Sequence, residues 1–128
     1  MIRISAYLAL AFAVWLAITE IIRNWGDWQW APFWIVDYMA AALLAFGGQR
    51  ALRRGTVRWL TGAWGFTAAM FYMSFFSHVY DLRTKASNHN GPIDETTLTI
   101  IIGALLVITF VGFFLSLAGK RPVKAESK

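Results

Sequence analysis

Four long runs of apolar residues, Ile4 to Ile22, Ala31 to Gly48, Val57 to Val79 and Leu98 to Leu117, are separated by short polar stretches. Each run is roughly 18 to 23 residues long, the length a helix needs to cross a hydrocarbon core about 30 Å thick. Inside the runs, polar and small residues recur every three or four positions. Helix one has Ser5, Ala9, Ala13, Leu16 and Glu20; helix two has Asp37, Ala40, Ala41, Leu44 and Gly48; helix three has Thr67, Phe71, Ser74, His78 and Asp81. That spacing places each set on one helical face, and small residues there let helix backbones approach. The pattern predicts an all-α, antiparallel bundle of four transmembrane helices, a single domain over residues 1–119 with a polar, disordered tail over 120–128.

Charge then orients the bundle. Arg3, the group Arg50, Arg53, Arg54 and Arg58, and the tail residues Lys120, Arg121, Lys124 and Lys128 make nine positive charges against the single acid Glu126. The opposite ends carry Arg23, Arg83 and Lys85 against Glu20, Asp27, Asp37, Asp81, Asp94 and Glu95, three against six. Lys and Arg accumulate on the cytoplasmic side, so both termini and the basic turn are expected inside, with loops 23–31 and 80–97 outside, in a bacterial inner membrane. The net charge of +5 is therefore topology rather than a footprint for nucleic acid. Hydrophobic residues are 58% and charged residues 15% of the 128-residue chain, against about 25% charged in soluble domains, and no room is left for a soluble domain. The first run has an apolar core longer than that of a secretory signal and no clean cleavage site after it, so it is expected to remain as a helix. With no cysteine, disulfides, thiolate metal sites and cysteine nucleophiles are excluded.

Trp25, Trp28, Trp30 and Trp34 crowd the first connection. Indole rings favour the headgroup level, so these four form an expected interfacial belt. Gly62, Gly65, Gly103 and Gly112 are expected at helix contacts, with helix four offering the face for a second copy or a larger membrane complex through Gly103, Thr109, Gly112 and Ser116.

Ionisable residues near the membrane carry the candidate chemistry, because burying charge in lipid is costly. Glu20, Asp37, Ser74, His78 and Asp81 are expected to form one polar layer near the outer side. The bland role is mutual neutralisation: Glu20 with Arg23, Asp37 with a Trp, Tyr or Ser74 donor, His78 with Asp81. Glu20, Asp37 and His78 have metal-ligand chemistry without diagnostic spacing. Haem would find one histidine ligand, with Met70, Met73 or a second subunit supplying the other. No catalytic constellation is visible and no cofactor is expected. No stretch carries a family's signature. The leading expectation is a non-enzymatic membrane subunit or self-associating membrane protein. A small transporter or channel with an acidic and histidine vestibule is the alternative, and a haem- or metal-binding redox subunit the third.

Overall fold

The computed structural model describes residues 1–25, 31–84 and 93–119. Four α-helices follow one another: α1 (Ile2–Asn24), α2 (Ala31–Arg54), α3 (Arg58–Thr84) and α4 (Glu95–Ala118), and no strand occurs among the described residues. Cross-helix contacts fix the directions. Gly48 of α2 lies on the Ala6 carbonyl and Leu10 of α1, Gly47 lies on the backbone of Leu60 in α3, and Gly103 of α4 lies on Phe75 of α3. Ser5 of α1 reaches Gly112 of α4. Neighbours therefore run antiparallel around a closed up-down-up-down ring.

Helix ends differ from the expected runs for local reasons. α2 continues past Gly48 to Arg54, since Gln49, Arg50, Ala51, Leu52, Arg53 and Arg54 are good helix formers. It stops at Gly55, whose φ of 64 is cheap only for glycine,. The Gly55 amide donates to the Ala51 carbonyl at 3.0 Å, satisfying one of the last carbonyls in a left-handed cap. Only residues 55–57 then connect α2 to α3. At the other end α3 runs on to Thr84 and α4 begins at Glu95. Asp81 and Glu95 are thus helical rather than part of a loop over 80–97. No helix breaker interrupts residues 80–84, so the last turn of α3 simply continues the helix.

The inward stripes are as the periodicity predicts. Ser5, Ala9, Ala13, Leu16 and Glu20 are all buried, as are Ala40, Ala41, Leu44 and Gly48. Phe12 of α1 spans the centre, edge-on to Trp64 and Phe71 of α3 with ring centroids 5.8 and 5.6 Å away. Below it lies a closed set of neutral polar contacts. Trp64 Nε1 donates to Ser5 Oγ at 3.0 Å, and that hydroxyl donates to the Gly112 carbonyl at 2.8 Å, tying α1, α3 and α4 at one point. Thr61 and Ser116 share a hydrogen bond of 2.9 Å one turn further down. Thr67 and Thr109 return their hydroxyls to carbonyls of their own helices.

Two helices, Ile2–Arg23 and Glu95–Ala118, are long and apolar enough to cross a membrane. α2 and α3 carry more polar residues than these, among them Asp37, Arg50, Arg53 and Arg54 on α2 and His78, Asp81, Arg83 and several hydroxyls on α3. Large apolar side chains are nevertheless exposed on every helix: Val14 and Ile18, Met39 and Phe46, Met73 and Phe76, Val107 and Phe114.

Candidate functional site

The ionisable side chains of the acid-rich end divide into two groups. On α1 and α2, Glu20 is buried with 4% of its surface exposed. It is placed there by the inward stripe that begins at Ser5, and Asp37 continues the Ala40, Ala41, Leu44 stripe of α2. The antiparallel pairing of these helices brings their carboxyl groups against each other. Arg23, one turn on from Glu20, supplies the nearby cation, its Nη1 3.8 Å from Glu20 Oε1. Asp37 thus faces Glu20 across the helix pair.

On α3 and α4, His78 Nδ1 lies 2.6 Å from Glu95 Oε1. Asp81, one turn on from His78, completes a set in which one ligand-capable atom of each residue lies within 4.8 Å of the others. Glu95 is buried, His78 and Asp81 half-buried. His78 thus bonds across to α4, with Asp81 close by on its own helix, because the helix pair closes on Glu95 at the level of His78. The metal-capable grouping changes with it. Glu20, Asp37 and His78 were the candidates by residue type; the grouping the fold forms is His78, Asp81 and Glu95, with Glu20 and Asp37 on another helix pair. Ser74 is half-buried one turn below His78.

The expected polar layer does not include Glu95, which precedes the apolar run that begins at Leu98. The signal was present: Glu95, Thr99, Ile102, Leu106, Thr109, Gly112 and Ser116 recur at three- and four-residue steps and are all buried, so α4 carries an inward stripe like the others.

Other candidates are placed as follows. Trp25 is 80% exposed, Trp34 is half-buried with its ring 5.9 Å from that of Tyr38, and Trp28 and Trp30 lie outside the described residues. Arg50 sits 5.2 Å above the Phe46 ring; Arg53, Arg54 and Arg58 are exposed around the α2–α3 turn; Lys120 and Arg121 lie outside the described residues. Met73 is exposed and Met70 half-buried against the core, about two turns below His78.

One expected contact is overturned. Gly112 does not face outward to a partner: a Cβ there would run into the Trp64 ring of the same chain. With Thr109 and Ser116 also buried and Gly103 against Phe75, the small-residue stripe of α4 packs inside the bundle. The open glycine is Gly62, around which a Cβ would meet nothing within 4 Å. Nothing matches this chain among family models, curated proteins or solved structures.

Proposed function

We propose that this protein is a non-enzymatic integral membrane protein of four spans, with both termini on the cytoplasmic side, that associates with itself or with a larger membrane complex and presents its acidic groups outward. One observation carries the reading. Every charged residue of the described helices lies near one end or the other, while apolar side chains are exposed around all four helices between them. In water such a surface is far beyond the scattered apolar residues of a monomer; in lipid it is satisfied. α2 and α3, with 24 and 27 residues, are about 36 and 40 Å long; Thr67 is buried, Asp37, Thr61 and Ser74 are half-buried, and the exposed Met39, Phe46, Met73 and Phe76 suit acyl chains. An open apolar hollow of about 350 Å³ between α3 and α4 is lined by Gly65, Ala68, Ala69, Tyr72, Phe110 and Phe113, and Gly62 lies one turn from Gly65 on α3. It suits a further helix, where small residues allow close approach.

Alkaline carbonate washing of membranes should leave the protein in the pellet. A cysteine placed at Arg54 should react with an impermeant thiol reagent only after the cytoplasmic side is opened, and one at Ser87 from outside. Release by carbonate overturns the membrane reading, and the reverse labelling overturns the orientation. The contact between Glu20 and Asp37 favours a second reading, a small transporter with an acidic outer vestibule. Against it, the interior below this level offers only hydroxyls and indole, with no titratable group to continue a path. Ion flux into proteoliposomes, abolished by Glu20→Gln, would favour the transporter.

A further inference from the structure

We propose that His78, Asp81 and Glu95 form a binding site for a divalent transition cation of the zinc type. Two helices build it. His78 and Asp81 are three residues apart on α3 and so share a face, and Glu95 closes from the first turn of α4. A pair at i and i+3 on one helix facing a carboxylate on its neighbour is how helical bundles assemble metal sites. The distances fit. Ligands about 2.0 to 2.2 Å from a tetrahedral cation stand about 3.4 Å from one another, and these three atoms already lie within 4.8 Å. Binding requires one local change: His78 Nδ1 and Glu95 Oε1, now 2.6 Å apart, separate as the cation replaces the proton between them.

The donor set selects the class of ion. Imidazole suits zinc, copper, iron and nickel, whereas magnesium and calcium call for oxygen alone. Two carboxylates balance the two positive charges with the histidine neutral. Of the charged neighbours, Arg83 on α3 and Asp94 before α4 are both exposed, one opposing and one favouring a cation. Three protein ligands leave a fourth position for water, the arrangement of an exchangeable or reactive ion rather than a closed structural one. The half-exposed rim at His78 and Asp81 gives that position access from the acid-rich end of the bundle.

The test is zinc titration into chelator-washed protein in mild detergent, read by calorimetry and native mass. One zinc per chain is expected. His78→Ala, Asp81→Asn and Glu95→Gln should each weaken binding by at least about tenfold, a loss that even the outer partners of metal ligands cause, while Glu20→Gln on the other helix pair leaves it unchanged. Cobalt in place of zinc should give a visible absorption band that Asp81→Asn alters, and because Asp81 is half-buried at a helix end this variant keeps the test open should the other two fail to fold. A dissociation constant weaker than about 1 mM, equal affinity in Asp81→Asn and wild type, or loss of binding in Glu20→Gln overturns the site.

Discussion

The two halves of the bundle solve the problem of buried polarity in opposite ways. At the basic end, Ser5, Trp64, Thr61 and Ser116 are neutral, and each finds its partner in a hydroxyl or a carbonyl. At the acidic end the paired groups are titratable, Glu20 against Asp37 and His78 against Glu95. Neutral networks have one satisfied state and serve to fix geometry. Titratable pairs have more than one, and under the four-span reading proposed above such groups are retained where something binds or moves. The basic half is therefore expected to respond to mutation in stability, and the acidic half chiefly in what the protein binds.

The sharpest attack on the first half of that contrast is Gly112→Leu. The new side chain would have to enter the space of the Trp64 ring and would disturb the carbonyl that accepts from Ser5. Overpacking costs typically 1 to 3 kcal/mol and sometimes more, and with a rigid indole as the obstacle a loss of about 3 kcal/mol or more is expected in detergent unfolding. Near wild-type stability would show that the α4 stripe does not pack as described. Ser5→Ala is a gentler version of the same test. It keeps the packing and removes the Ser5 hydroxyl that accepts from the Trp64 indole N–H. About 1 to 3 kcal/mol should be lost, the cost of leaving a buried donor unpaired, and a change of a few tenths would mean that Trp64 finds another partner.

The sequence carried much of this, and what it failed to carry has an identifiable cause. Helical period alone turned Glu20, Asp37 and His78 inward, because each continues a run of small or polar residues that ends in contacts at the far side of its helix. It could not say which stripes face each other, since that depends on the order of helices around the ring. His78 was therefore paired with Asp81 on its own helix when the fold offers Glu95 across the gap. Gly112 failed for the same reason. A glycine among Ile, Val and Phe reads as an opening for any neighbour, and only the position of Trp64 shows that the neighbour is within the chain.

For the acidic half, a double-mutant cycle on Glu20→Gln and Asp37→Asn measures the contact directly. Residues in one hydrogen-bonded pair couple by 0.5 kcal/mol or more, whereas independent ones add within a few tenths, so a coupling of at least ~0.5 kcal/mol is expected. Each single variant keeps a group able to donate or accept, and so neither should cost as much as Gly112→Leu. Additive effects would separate the two acids and remove the pair from the contrast between the halves.

The smallest effect on stability is expected at Gly62, and it bears on whether the bundle works alone. Gly62 is exposed on α3, in line with Ala69 one side of the apolar hollow, and a side chain there meets no atom of its own chain within 4 Å. Replacing it by leucine also removes a poor helix former, so the monomer's stability should be unchanged or rise by less than about 1 kcal/mol. A second helix seated on this face would lose its close approach, because the leucine fills the space that glycine leaves. Crosslinking in native membranes should give a discrete species larger than the monomer in the wild type, reduced in Gly62→Leu and retained in any stable variant of the interior. If the crosslinked species survives Gly62→Leu unchanged, association uses another face. If no such species forms at all, the exposed apolar surface meets only lipid, and the acidic end is left to account for what the protein does.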